Sequence, residues 1–220
     1  ITSKVDTFYI NKNEHYRANS PVETREDRFI SWLLKKYPAH NVAKSNPILQ
    51  RLRSIKHIDE IDQIRKACQI TKKGFNRVLK FIKPGVWEYQ IEAEFIHEFI
   101  NNSSKGFAYS PIIASGQDNN VLHYVKNNKQ CKDGELILMD VGAEYGNYSS
   151  DMTRTIPVSG HFSKRQKEIY NTVLRVKNEA TKLLTVGNNW KNFHDQVGEI
   201  MTKELLDINL LDKADIKNQT

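Results

Sequence analysis

Two aspartates, Asp140 and Asp151, are the first residues whose type and spacing indicate chemistry. Asp140 lies near the end of the apolar run 135–141, and Asp151 lies early in a second strand-like run. A glycine-containing turn separates the two runs, which is typical of an antiparallel hairpin. With the turn centred between Tyr145 and Gly146, Asp140 and Asp151 would face each other directly across the two strands.

Opposed carboxylates of this kind repel each other, because directly paired Cβ atoms lie only about 4.5–5.5 Å apart. Burial increases that repulsion. A shared proton, a nearby arginine such as Arg154, or a divalent cation would relieve it. Paired carboxylate oxygens are typical ligands of hard divalent cations. The alternative is an ordinary hairpin with a slipped register and two solvated acids, and the spacing alone leaves both interpretations open.

Apolar periodicity predicts the elements that position these two aspartates. Strands are predicted at 7–10, 110–116, 120–125, 135–141 and 148–158, and helices at 28–37, 58–82, 87–99, 169–183 and 193–205. Ser163 and Gln166 form a capping-box pattern, and Cys68 is expected on the apolar face of the long helix. Helix pairs around Gly85 and Gly187 form a weak internal repeat, whose second strand region would fall after residue 220.

Composition excludes several classes of protein. Hydrophobic residues make up 39% and charged residues 27%, which is the balance of a globular domain, and no apolar run approaches the roughly 20 residues of a membrane span. The net charge of +7 comes without a basic run of five residues, so no nucleic-acid partner and no membrane are expected. Cys68 and Cys131 form no CxxC pair and predict reduced thiols in a cytoplasmic protein.

The segments 139–142 and 150–155 together resemble the pita-bread metallopeptidases. The same order of motifs continues along the chain from about Leu52 to Leu211. The matching motifs lie at 52–56, 83–85, 113–116, 122–124, 132–134 and 156–160. The block 151–155, followed by the sequence Pro-Val-Ser-Gly-His-Phe, is most similar to the Xaa-Pro aminopeptidases.

The resemblance implies an α+β fold, the pita-bread (creatinase/aminopeptidase) fold. Residues 51–220 would be the first part of that domain, and therefore an incomplete one. Residues 1–50 would be the end of an α/β N-terminal domain and a linker.

The resemblance also implies an activity, the release of an N-terminal residue linked to proline. The family holds two divalent ions, often manganese, with zinc, cobalt or iron as other candidates, on two Asp, one His and two Glu. Asp140 would bind one ion, Asp151 would bridge both, and His123 would contact the substrate near the scissile bond. His161 and His194 are poor substitutes for the missing histidine, so the remaining ligands are expected beyond residue 220 and the isolated chain is expected to be inactive.

Two alternatives stay open. One is Xaa-Pro dipeptidase (prolidase), which accepts only dipeptides, and the other is a non-catalytic pita-bread module that binds proteins. Retention of Asp140, Asp151 and His123 together favours the enzyme. Peptides with proline at the second position are the expected substrates, and a homo-oligomer of two or more subunits is expected.

Overall fold

The computed structural model describes residues 5–11 and 22–217 as a mixture of helices and strands. Contacts divide the chain into two units, Ile1–Gln63 and Ile64–Thr220. The domain boundary near residue 50 stays a prediction. No helix within the described ranges combines the length and apolar character needed to cross a bilayer.

The first unit contains a short parallel βαβ arrangement. Its elements are β1 (Thr7–Ile10), α1 (Arg25–Lys36), β2 (Asn41–Lys44) and α2 (Asn46–Ser54), with β1 paired to β2. The predicted strand 7–10 is confirmed. Helix α1 begins three residues earlier than predicted because Thr24 and Asp27 form a capping box.

The second unit contains the sheet and most of the helices. Its elements are α3 (Ile58–Phe81, beginning in the first unit), α4 (Glu88–Asn101), β3 (Ile112–Ser115), β4 (Leu136–Val141), β5 (Glu144–Tyr145), β6 (Tyr148–Ser149), β7 (Met152–Pro157), α5 (Lys164–Leu183), α6 (Trp190–Asp207) and α7 (Lys213–Lys217). The predicted capping box of Ser163 and Gln166 opens α5.

Strands β3, β4 and β7 form an antiparallel sheet with β4 at its centre. Side chains alternate between two faces along β4, and Ile137, Met139 and Val141 are fully buried. This face packs in one apolar core with the phenylalanines Phe75, Phe95 and Phe99 of α3 and α4. The opposite face carries the half-buried Leu136, Leu138 and Asp140, and we call it the open face.

Helix α3 buries one face, which includes Thr71, Phe75 and Val78. Ala67, Ile70 and Thr71 are buried, whereas Cys68 is exposed, so its predicted place on the apolar face was wrong. Cys68 follows the buried Ala67 directly, and a three-or-four-residue spacing of apolar residues does not distinguish two neighbouring positions. The second cysteine, Cys131, is buried, and burial raises the pKa of its thiol to about 11.

One predicted strand is absent and another is interrupted. Residues 120–125 form no strand, because the segment follows a 3₁₀ turn (Gly116–Asn120) instead. The side chain of Asn119 takes the hydrogen-bonding positions beside β4, donating to Leu136 O (3.0 Å) and accepting from Leu138 N (3.0 Å). The predicted strand 148–158 is divided into β6 and β7 by Ser150 and Asp151.

Candidate metal centre

The hairpin between the two aspartates has a different register from the predicted one. Asp140 is opposite Thr153, and Asp151 lies one residue before β7 begins. The turn is centred on Gly146 and Asn147, both with positive φ (61° and 66°), as a two-residue type I′ hairpin requires. The predicted direct pairing of Asp140 with Asp151 was therefore wrong, because the turn lies one residue later than the predicted centre.

A tight bend between the strands nevertheless brings the second aspartate back towards the first. A Cβ added to Gly142 would lie 1.8 Å from the backbone oxygen of Ser150, so only glycine permits this approach of the two chains. The Ala143 N–H donates to the hydroxyls of Thr71 (2.8 Å) and Ser150 (3.0 Å), and these two oxygens are 2.7 Å apart. We call this buried group the hydroxyl cage, and it holds the residue that precedes Asp151.

Tyr109 joins the two aspartates directly. Its hydroxyl lies 2.6 Å from Asp140 Oδ1 and 3.3 Å from Asp151 Oδ1. The loop that carries it is fixed beside the bend, because Ala108 N donates to Gly142 O (2.8 Å). The two carboxylates therefore converge on one point at the end of the hairpin, although they are not cross-strand partners.

The protonation state of Tyr109 follows from its surroundings. Burial, and then the hydrogen bond to Asp140, raise the pKa of its phenol far above the ordinary value. The hydroxyl therefore stays protonated at neutral pH and donates to the carboxylates. Sequence reasoning missed Tyr109, because 31 residues separate it from Asp140 and no local pattern connects the two.

His123 and Asp140 both line a cavity of about 290 Å³ on the open face. The cavity is lined by residues of the 3₁₀ turn and its following loop, and by Ile112, Leu138 and Thr153 from the sheet. His123 has a φ of 54°, in the left-handed region that few non-glycine residues adopt. The structure thus brings His123 and Asp140 to one cavity, with Asp151 reached through Tyr109.

Two converging carboxylates on an open surface are a chemically suitable part of a divalent-cation site. Arg154 donates to the backbone oxygen of Thr153 (2.7 Å), and within residues 5–11 and 22–217 no ion pair joins it to either aspartate. The same ranges contain no group of three or more His, Cys, Asp or Glu side chains that could hold a metal. The described residues therefore fit two ligands of such a site, and fewer than a complete set.

Comparison with known proteins identifies relatives that are similar to most of this chain. Xaa-Pro aminopeptidase of Haemophilus influenzae is 39% identical over 170 residues, which are 77% of this chain and 39% of that protein. A structure from Bacillus anthracis assigned as an aminopeptidase P has a TM-score of 0.91 at 31% identity, covering 96% of this chain and 50% of that one. The chain thus spans half or less of the length of these relatives.

A third comparison concerns metal use. The zinc-substituted aminopeptidase P of Escherichia coli, in complex with product, matches with a TM-score of 0.83 and 29% identity, covering 95% of this chain and 48% of that one. These likenesses confirm the expected α+β, pita-bread fold. The model of metallopeptidase family M24 matches residues 62–217, a range that includes His123, Asp140 and Asp151. The chain therefore belongs to metallopeptidase family M24.

Proposed function

We propose that the full-length protein containing this chain is a metal-dependent, cytoplasmic Xaa-Pro aminopeptidase. The observation that supports this most directly is the convergence of Asp140 and Asp151 on Tyr109, beside the cavity that contains His123. Membership of family M24 and likeness to Xaa-Pro aminopeptidases support the same activity. Residues 1–50 are proposed to be the end of an N-terminal domain, and residues 51–220 the first part of the catalytic domain.

In this proposal Asp140 and Asp151 hold two divalent ions, of which manganese is the first candidate. Bound divalent ions lower the pKa of a coordinated water and stabilise negative charge that develops on the scissile carbonyl. Tyr109 holds the two carboxylates in one orientation by donating its proton towards them. His123 stands at the cavity wall, where its ring can donate to the substrate peptide near the bond that is cut.

The proposal is tested by the full-length protein supplied with manganese. We expect release of the first residue from a tripeptide with proline in second position, and no cleavage when alanine replaces that proline. A protein that cleaves the Xaa-Pro dipeptide and leaves the tripeptide intact would be a prolidase. His123→Ala should lower kcat and leave the bound metal per subunit unchanged, and loss of the metal would show that His123 is a ligand.

The 220-residue chain alone should bind metal weakly. Two carboxylates leave most of the coordination positions of a divalent ion to water, and such sites have low affinity. We expect calorimetric titration with manganese to give a dissociation constant of about 1 mM or weaker, and peptide assays to give no turnover. Stoichiometric binding of two ions with turnover would show that the active site is complete within these residues.

The full-length protein is proposed to form a homo-oligomer, and the isolated chain should associate through the open face. Helix α5 and strands β4 and β7 enclose an apolar cavity of about 410 Å³ lined by Leu136, Phe162 and Tyr170, among others. Val173 on its rim is 52% exposed. Exposed apolar surface of this kind is typical of an interface.

Sedimentation of the 220-residue chain should therefore show dimers or larger species at micromolar concentration. Val173→Lys should shift the population towards monomer, because it places a charge at the edge of the apolar cavity. Asn171→Lys adds the same charge at an exposed position of α5 outside the cavity and serves as the matched control. Equal behaviour of the two variants would show that association uses another surface.

A further inference from the structure

Glu88 is a completely buried acid in the first turn of α4, and the proposed chemistry does not use it. Its Oε1 accepts from the backbone N–H of Ser115 (2.8 Å) and from the Ser115 hydroxyl (2.7 Å). Its Oε2 accepts from the Tyr124 hydroxyl (2.8 Å) and from the backbone N–H of Lys129 (3.0 Å). Four donors from two distant segments therefore meet on one carboxylate.

The pattern of donors fits the carboxylate form of Glu88. Each of its oxygens receives a backbone N–H, which can only donate. The second partner of each oxygen is a hydroxyl, of Ser115 or of Tyr124, whose proton can point at it. The position in the first turn of α4 adds the favourable field of the helix N-terminus. A buried charge of this kind is costly unless its partners are held in place, so the donors and Glu88 constrain each other.

Two of the four donors come from the loop that carries His123. Leu122 before His123 is 86% exposed, and His123 itself has the left-handed backbone already described. Tyr124, after His123, is buried instead: it is only 6% exposed, and its hydroxyl donates to Glu88. Burial of Tyr124 therefore anchors the loop directly after His123, and the hydrogen bond to Glu88 fixes the position of the Tyr124 ring.

Asn127 supplies a second attachment of the same loop. Its side chain accepts from Ile113 N (3.0 Å) and donates to Pro111 O (3.0 Å) and to Glu92 Oε2 (2.9 Å). This attachment fixes the loop to the start of β3 but lies farther along the chain from His123. Between the 3₁₀ turn and Asn127, Tyr124 is the one buried side chain of the described loop.

We propose that Glu88, acting through Tyr124, is a positioning residue that holds His123 at the cavity containing Asp140. The proposal rests on the proposed function in one respect, namely that His123 acts on the substrate. Glu88 and Tyr124 do not line that cavity, so their effect on the reaction passes through the backbone of the loop. All four donors to Glu88 are neutral groups, namely two backbone N–H groups and two hydroxyls.

Tyr124→Phe in the full-length protein is the main test, since it keeps the buried ring and removes only the hydroxyl. We expect kcat for the Xaa-Pro tripeptide to fall by about 10–100-fold with KM little changed, because small misplacements of a reacting group have effects of this size. In a His123→Ala background the same change should lower kcat less than about twofold, because the residue that it positions is gone. Equal losses in both backgrounds would overturn the proposal.

Thr172→Val is the matched control for loss of a buried hydroxyl. Thr172 is 1% exposed on α5 and donates to Glu168 O (3.0 Å), away from the loop. Thr172→Val should lower the melting temperature about as much as Tyr124→Phe does, and it should leave kcat unchanged. Glu88→Gln should reproduce the kinetic effect of Tyr124→Phe if it folds, because its amide NH₂ would face a backbone N–H that can no longer donate to it.

A second readout does not depend on peptidase activity. With histidine-selective ¹³C labelling of the full-length protein, the His123 ring resonance should shift or broaden in Tyr124→Phe and remain unchanged in Thr172→Val. If the wild-type protein cleaves no Xaa-Pro peptide but the resonance responds in this way, the proposed function fails and the positioning role stands. A His123 resonance that is the same in wild type and Tyr124→Phe would overturn the positioning role itself.

Discussion

Asp151→Asn in the full-length protein should lower kcat/KM for Xaa-Pro cleavage by at least about a thousandfold, because metal stabilisation of the transition state contributes several kcal/mol. Asparagine keeps the shape of the side chain but removes the negative charge that holds a divalent ion. Asp140→Asn should have an effect of the same order, since both carboxylates converge on Tyr109. Activity assays combined with metal analysis of the purified variants would measure both losses.

Asp151→Asn should not destabilise the metal-free 220-residue chain, although it should abolish most of the activity of the full-length protein. Two carboxylates that share one hydroxyl donor repel each other, so removing one charge should leave the midpoint of denaturant unfolding unchanged or higher.

Asp133→Asn is the matched control for the activity measurement, because Asp133 is an exposed turn residue whose carboxylate accepts from Gly134 N. A loss of activity in Asp133→Asn equal to that in Asp151→Asn would contradict the assignment of the site.

Gly142→Ala should destabilise the chain more than alanine at any other glycine for which such a contact is given, because its added Cβ makes the shortest one. The new methyl group would lie 1.8 Å from Ser150 O and 2.7 Å from Ser150 C, and both are backbone atoms that cannot rotate away. Forced overpacking typically costs about 1–3 kcal/mol, and we expect about 3 kcal/mol here because the contact is with backbone atoms. For a chain of this length we expect the melting temperature to fall by about 6–12 °C.

Gly198→Ala provides the control for that prediction. Gly198 lies within α6, and a Cβ added there meets nothing within 4 Å. Alanine in a helix interior should therefore stabilise the chain by about 0.5–1 kcal/mol. Thermal unfolding of both variants followed by circular dichroism would test the pair, and a Gly142→Ala variant as stable as wild type would show that the bend is looser than the structure indicates.

The hairpin shows how far local pattern determines this fold. Alternating apolar residues in β4 and the glycine of the turn were enough to predict two antiparallel strands with Asp140 and Asp151 near their shared end. The register was not predictable from the same pattern, because Asn147 adopts a positive φ and shifts the turn centre by one residue. The convergence of the aspartates depends instead on the bend at Gly142, which is a contact between backbones.

The loop around His123 shows where local pattern fails. Val121, Leu122 and Val125 give residues 120–125 the composition of a strand. All three residues are nevertheless exposed by 50% or more, and none of them pairs with the sheet. Two hydrogen bonds determine the observed conformation: Leu138 N donates to Asn119 Oδ1, 19 positions away, and the Tyr124 hydroxyl donates to Glu88, 36 positions away. Such distant polar contacts leave no periodic signal in the sequence, and the same holds for Tyr109.

The hydroxyl cage has a consequence for the order in which the protein folds. Its hydrogen bonds join Thr71 of α3 to Ala143 and Ser150, across 72 and 79 positions of sequence. Closing so long a loop carries an entropic penalty that local turns avoid, so the hairpin can form early while the cage must await the docking of α3. We therefore expect the two aspartates to reach their final arrangement only after α3 has docked, so that a chain that has formed only the hairpin does not yet have the site.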